Sequence, residues 1–320
     1  MSSKISEKFM VSNYHKARNL FGNLDKNIKM IEEELDVKLI ARGSEINIEG
    51  LPEKVELARR TLEEMAKLLE EENTVSDRQL NYIIELLQDD NNLDFSSIFN
   101  EVIQVNHKGE EINPQTVGQK MYLEAMRKYD IVFSIGPAGT GKTYLAVVMA
   151  VKNLLNHRVD RIVLTRPAIE AGEELGFLPG DMQDKVDPYL RPLYDSLFDV
   201  LGPDKVREYL EKDIIEVAPL AYMRGRTLDD SFIILDEAQN TTTKQMKMML
   251  TRIGFNSRAV ITGDITQIDL PYNQKSGLGQ VEEILKDIEG IEFVYLDETD
   301  VVRHNLVRKI ITAYEEKENE

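Results

Sequence analysis

The chain is 320 residues long, with a formal net charge of −18, no cysteine and four scattered histidines. Its length suits two domains of roughly 150 residues each, and the lack of cysteine excludes disulfides, thiolate zinc sites and cysteine nucleophiles. The acidic balance is split about evenly between residues 1–113 and 114–320, which argues against nonspecific nucleic-acid binding by bulk charge and requires any such contact to be a local cluster of arginines.

No apolar run approaches the roughly 20 residues that span a bilayer, and the N-terminus leads into no signal-peptide core. A cytoplasmic protein without a membrane partner is expected. Residues 1–72 read as a small α/β module. A helix is predicted over 14–20, a turn at Gly22-Asn23-Leu24-Asp25, and an amphipathic helix over 26–35 with Ile28, Ile31 and Leu35 on one side. Two short strands, 37–41 and 45–49, are joined by Arg42-Gly43-Ser44, a hairpin signal. A helix over 52–70 turns Val55, Ala58, Leu62, Met65 and Leu69 inward.

Residues 73–113 are expected to link this module to the next domain. They hold a helix over 77–87, capped by Ser76 or Asp77, and a hairpin over 102–112 that turns at Lys108-Gly109. From residue 114 to 320, strands alternate with helices, the pattern of a mostly parallel sheet covered on both faces. The predicted strands are 130–135, 161–165, 214–217, 232–236, 258–262 and 291–296. Residues 166–202 break the alternation; they are too rich in glycine and proline for one helix, and long irregular segments of compact domains tend to carry function. Residues 302–318 read as an amphipathic helix with Leu306, Ile310 and Ala313 on one face.

The chemistry centres on Gly136-Pro137-Ala138-Gly139-Thr140-Gly141-Lys142-Thr143. Every fixed position of the phosphate-cradling pattern G-x-x-x-x-G-K-S/T is filled, with a buried strand before it and a helix after it. The glycines let successive backbone N–H groups converge on an anion, and the helix N-terminus adds partial positive charge. Lys142 would reach the β- and γ-phosphates of ATP, and the Thr143 hydroxyl would hold Mg²⁺. The plain alternative is a glycine-rich turn that binds nothing. About a hundred residues on, the strand Phe232-Ile233-Ile234-Leu235 ends in Asp236-Glu237. There Asp236 can hold Mg²⁺, directly or through water, and Glu237 can orient and deprotonate an attacking water. Gly263-Asp264-Ile265-Thr266-Gln267 follows a further strand, and Gln267 could hydrogen-bond the γ-phosphate or the water. That last motif gains its meaning from the two before it.

With Asp236-Glu237-Ala238-Gln239 and Gly263-Asp264-x-x-Gln267, the phosphate loop resembles the first RecA-like domain of a superfamily 1 helicase. Thr165-Arg166-Pro167, Glu174-Leu175-Gly176-Phe177-Leu178-Pro179-Gly180, Met223-Arg224-Gly225-Arg226-Thr227 and Asp300-Val301-Val302-Arg303-His304 narrow the likeness. Together they resemble the PhoH family of phosphate-starvation-inducible ATPases. The resemblance implies a RecA-like P-loop NTPase core and a KH-like RNA-binding module in front of it. It also places Gln119, in Pro114-Gln115-Thr116-Val117-Gly118-Gln119, where a helicase-type glutamine reads the adenine edge, with Tyr122 nearby. In the KH-like module the backbone-clamping Gly-x-x-Gly loop would be residues 22–25, with Asp25 in place of the second glycine; RNA binding and a structural or partner-docking role both stay open.

A helicase of that superfamily has a second RecA-like domain that supplies arginines across the nucleotide, and this chain is read as ending after one. A homo-oligomeric ring is therefore expected, with Arg224, Arg226 and Arg303 as finger or sensor candidates, or as ordinary structural ion pairs. Arg166, Lys185 and Arg191 correspond to the helicase region that touches the nucleic-acid backbone, although subunit packing suits that acidic stretch equally. The implied function is Mg²⁺-dependent ATP hydrolysis coupled to RNA handling, by unwinding or by support of a ribonuclease partner. The alternative is an ATP-regulated assembly or docking protein. A small-molecule kinase is disfavoured, because Glu237 and Gln267 are placed for a water nucleophile.

Overall fold

The computed structural model describes residues 4–12, 14–71, 74–88, 101–167, 182–271 and 274–302, with the single positions 307, 310 and 317. The helix expected over 302–318 and the candidate Arg303 thus lie outside the described residues. The chain divides into two compact units, Met1–Glu101 and Val102–Glu320. This redistributes the segment 73–113. Its helix, Asp77–Gln88, packs on the helix Pro52–Glu71 of the first unit, while its hairpin, β4 (Gln104–Val105) with β5 (Glu111–Ile112), falls in the second.

In the first unit the predicted helices and strands form with small shifts of boundary: Tyr14–Phe21, Lys26–Leu35, β2 (Lys38–Arg42), β3 (Glu45–Gly50) and Pro52–Glu71. Alternation along β3 buries Ile46 and Ile48 on one face. They meet Leu62, Met65 and Leu68 of the long helix, together with Leu20 and Ile31, at essentially zero exposure. One strand is new. β1 (Ile5–Met10) pairs antiparallel with β3, Ile5 opposite Gly50 and Met10 opposite Glu45, so the sheet order is β1-β3-β2. The sequence Ile-Ser-Glu-Lys-Phe-Met carries little apolar alternation, and both Ile5 and Met10 are exposed; pairing to β3, rather than burial, defines this strand.

The second unit is an α/β fold around six parallel strands: β6 (Ile131–Ile135), β7 (Arg161–Arg166), β8 (Ile215–Pro219), β9 (Ser231–Leu235), β10 (Arg258–Gly263) and β11 (Ile291–Tyr295). Their order is β11-β6-β10-β9-β7-β8. Alternate residues feed two cores: Val132, Phe232 and Ile234 face one side with the helices Val117–Lys128, Lys142–Leu155 and Met182–Leu201, and Phe133, Ile233 and Leu235 face the other with Thr243–Leu250 and Leu278–Leu285. Burial on both faces accounts for strands that are apolar throughout rather than alternating. One strand, β10, stands between the strand that feeds the phosphate loop and the strand that ends in the acidic pair, which is the RecA-like P-loop NTPase arrangement.

Part of the segment 166–202 forms a helix that the sequence reading did not foresee. Residues 168–181 lie outside the described residues, but Met182–Leu201 is a single helix containing Pro188 and Pro192. A proline inside a helix costs about 3 kcal/mol when its ring and missing N–H disturb a packed turn. Here both prolines stand on the exposed side of the helix, away from the packed stripe. Leu190, Leu193, Leu197 and Val200 form the buried stripe that holds the helix to the sheet.

Candidate functional site

The phosphate loop, the Asp236-Glu237 pair and the turn that carries Gln267 follow the carboxyl ends of β6, β9 and β10. Residues 136–141 form the turn between β6 and the helix Lys142–Leu155, with Gly139 at φ 93° and Gly141 at φ 82°, a region open to glycine and strained for other residues. Gly136 is required for a different reason: a Cβ there would overlap the carbonyl oxygen of Leu296. The loop closes on itself through the Thr140 hydroxyl, which donates to the Pro137 carbonyl at 3.0 Å. Ala138 completes the turn. Lys142 is 8% exposed, and its Nζ donates to the carbonyls of Gly136 at 2.6 Å and Pro137 at 2.7 Å. The ammonium is thus held over the concave side of the loop, against oxygen acceptors of the kind a phosphate would offer.

Thr143 and Asp236 are brought together across the sheet. The Thr143 hydroxyl donates to Asp236 Oδ1 at 2.6 Å, and Thr262 of β10 donates to the same oxygen at 2.6 Å. This hydroxyl and carboxylate are hard oxygen ligands, fitted to Mg²⁺ alongside phosphate oxygens. Glu237 follows in the left-handed region, φ 53°. Non-glycine residues held there cluster at functional sites. Its Oε2 accepts from Gln239 Nε2 at 2.5 Å, and the Gln239 Oε1 in turn accepts from the Asp264 N–H at 3.1 Å. Gln239, 1% exposed, therefore ties the acidic strand to the turn after β10. The sequence reading quoted this residue within Asp236-Glu237-Ala238-Gln239 but gave it no role. Gln267 is exposed, and its Nε2 donates to Asp264 Oδ2 at 2.9 Å.

Arg166 also belongs to this site. Its guanidinium lies 3.5 Å from Asp236 Oδ2 and pairs with Glu237 Oε1. In this structure Arg166 makes an intramolecular contact at the carboxyl end of the sheet. Arg191 is exposed; the side chain of Lys185 lies outside the described residues.

Gln119 lies under the loop. Its side-chain oxygen accepts from the Gln115 N–H at 2.8 Å, and its Nε2 donates to the Thr140 carbonyl at 3.0 Å. Tyr122 is fully buried there as well, its hydroxyl donating to the Lys142 carbonyl at 3.2 Å, and burial pushes its pKa well above the ordinary phenol value. From the other side, Asp300 Oδ1 accepts from the Gly118 N–H at 3.2 Å and the Val302 N–H donates to the Gly139 carbonyl at 2.9 Å. Burial holds the Asp300 carboxyl above the usual carboxylate range. The helix Val117–Lys128 and residues 296–302 therefore clasp the loop between them. This geometry makes Gln119 a support of the loop, and the adenine reading becomes testable. Gln119→Ala leaves the Gln115 N–H and the Thr140 carbonyl unpaired, at a cost of about 1–3 kcal/mol. ATP and GTP binding should weaken alike; a selective loss of ATP in competition titrations would instead assign Gln119 to the base.

The arginine candidates separate. Arg226 forms a bidentate pair with Glu216 of its own chain, at 2.5 and 2.7 Å, which raises its pKa. Arg224 is exposed and, among the described residues, makes no ion pair. It follows β8, an edge strand separated from β6 by three others. At ~4.8 Å per strand, β8 runs about 19 Å from the strand that feeds the phosphate loop.

The PhoH-like protein family matches residues 111–315. A PhoH-like protein of Bacillus subtilis (strain 168) is 53% identical over 307 residues, 96% of either chain. One of Synechocystis sp. is 48% identical over 300 residues, 94% of this chain and 92% of its own. Protein PhoH of Escherichia coli (strain K12) is 44% identical over 198 residues, 61% of this chain and 56% of its own. With a family match over more than half its length and a relative this similar from end to end, the chain belongs to the PhoH family.

Proposed function

We propose that the chain binds ATP with Mg²⁺ and hydrolyses it, with Glu237 as the general base for water, and that turnover is coupled to RNA handling, either as a helicase-like motor or in support of a ribonuclease. The observation that carries the ATPase reading is the convergence of Lys142, Thr143, Asp236 and Glu237 at one end of the sheet, Thr143 and Asp236 sharing a 2.6 Å hydrogen bond. When bound, Mg²⁺ would neutralise charge on the transferring phosphoryl group. Thr143 and Asp236 supply its protein ligands, Lys142 holds the phosphates, and Glu237 takes the proton of the attacking water.

RNA coupling draws its support from the family and from the loop before the helix Lys26–Leu35. There Gly22, Leu24 and Asp25 all hold positive φ, at 75°, 56° and 58°, so Asp25 adopts a conformation ordinarily left to glycine. Its carboxylate opposes phosphate, however, and this favours the second reading, an ATP-regulated docking protein. Steady-state ATP turnover with single-stranded and structured RNA decides between them. Stimulation is expected; a rate indifferent to every RNA would leave the docking reading.

The exposure of Arg224 and its place after the edge strand β8 support action on a neighbouring copy in a homo-oligomeric ring. Arg224→Ala and Lys142→Ala should each lack turnover alone, and a mixture of the two should regain part of it at interfaces that combine an intact loop with an intact arginine. A mixture as inactive as its components would place Arg224 outside the reaction.

A further inference from the structure

The acidic pair has a partner for which ATP hydrolysis gives no account. Arg166, the last residue of β7, has a side chain only 17% exposed. Through Nε it faces Asp236 Oδ2 at 3.5 Å, through Nη2 it donates to Glu237 Oε1, and through Nη1 it donates to the carbonyl of Tyr189 at 2.7 Å. With Gln239 on the other oxygen of Glu237, both carboxylate oxygens are engaged.

The direction of that engagement is informative. β9 lies between β10 and β7, and the phosphate loop follows β6, beyond β10. Pairing with a residue at the end of β7 therefore holds Oε1 of Glu237 on the side of the sheet away from the loop, while Gln239, tied to the turn after β10, holds Oε2. Asp236 behaves differently. Its Oδ1 is taken by Thr143 and Thr262, on the loop side, while Oδ2 faces the guanidinium. A divalent cation held by Thr143 and Asp236 would stand close to that guanidinium in a poorly solvated site, where two positive charges repel strongly. Cation and Arg166 thus compete at Asp236.

On the ATPase reading above, we propose that Arg166 is a positioning residue: it keeps Oε1 of Glu237 turned from the phosphate loop, in competition with the Mg²⁺ of the nucleotide, and its displacement frees Glu237 for water. Because the same guanidinium holds the Tyr189 carbonyl, displacement also alters the hold on the helix Met182–Leu201. Occupancy of the site is thereby coupled to that helix. An ion pair serving stability alone would carry neither property.

The test titrates Mg²⁺ against binding of a fluorescent ATP analogue to the full chain, in the native sequence, Arg166→Gln and Arg166→Lys. Arg166→Gln removes the competing charge, so half-saturation should come at a Mg²⁺ concentration lower by roughly 3- to 10-fold. Arg166→Lys keeps the charge and should stay near the native value. Hydrogen exchange over residues 182–201 should change when Mg²⁺ and the analogue bind the native chain, and should be insensitive to them in Arg166→Gln. Should Arg166→Gln fail to fold, Glu237→Ala removes the pair from the other side and must alter exchange in the same helix. Native Mg²⁺ dependence in Arg166→Gln, or unaltered exchange in Glu237→Ala, overturns the assignment of Arg166 and leaves the ATPase reading standing. A native chain that binds no nucleotide at any Mg²⁺ concentration overturns both.

Discussion

Glu237→Gln is expected to slow ATP turnover by about 10²- to 10⁴-fold, the usual contribution of a positioned general base, while leaving nucleotide affinity unchanged. Glutamine keeps the length and an acceptor oxygen for Arg166 but cannot take a proton from water. Binding should survive because Lys142 and Thr143, proposed above to hold the phosphates and Mg²⁺, lie on a different element. The substitution also turns an amide N–H toward the Gln239 Nε2 that now donates to Glu237. This donor-to-donor contact costs about 1 kcal/mol and leaves the fold intact. Direct binding by calorimetry and single-turnover hydrolysis, measured on the same preparation, separate the two effects. A variant that hydrolyses ATP at the native rate would remove Glu237 from the proton transfer.

The phosphate loop was fully legible because its chemistry demands particular residues at fixed spacing: Gly136 under Leu296, Gly139 and Gly141 at positive φ, Lys142 over the turn. The six parallel strands were legible for a related reason, since burial on both faces leaves apolar runs bounded by turn formers. Contacts between distant strand ends were less so. Arg166 meets Asp236 and Glu237 only because β7 is neighbour to β9, and strand order is not written in local pattern. Gln119 was placed as a base reader by its position before the loop, and only three-dimensional packing shows that its amide also holds the Thr140 carbonyl. β1 escaped notice because an edge strand with exposed Ile5 and Met10 has no buried face to mark it. Pro188 and Pro192 misled for the opposite reason: they are strong local signals against a helix, overridden by the stripe from Leu190 to Val200 that packs on the sheet.

Lys142→Ala is expected to lower ATP affinity by about 10²- to 10³-fold, the equivalent of one or two hydrogen bonds to a charged group at roughly 1.5–3 kcal/mol each. In the described structure the ammonium donates to the Gly136 and Pro137 carbonyls, so nucleotide binding trades carbonyl acceptors for phosphate oxygens. That exchange favours the phosphates because they carry formal negative charge. Alanine loses the phosphate contact and also leaves the two loop carbonyls without this donor. The turn itself should persist, since the Thr140-to-Pro137 hydrogen bond and the clasp by Gln119 and Val302 do not involve the lysine side chain. Thermal unfolding should therefore move little while affinity collapses. Lys142→Arg distinguishes charge from shape: it restores the positive charge, but its planar fork is bulkier than an ammonium in a pocket that holds the side chain at 8% exposure. Recovery by arginine would show that a positive charge is sufficient there, and continued loss would show that the loop is built around the compact head of a lysine. Native affinity in Lys142→Ala, measured directly, would refute the cradle and with it the assignment of Thr143 and Asp236 to Mg²⁺.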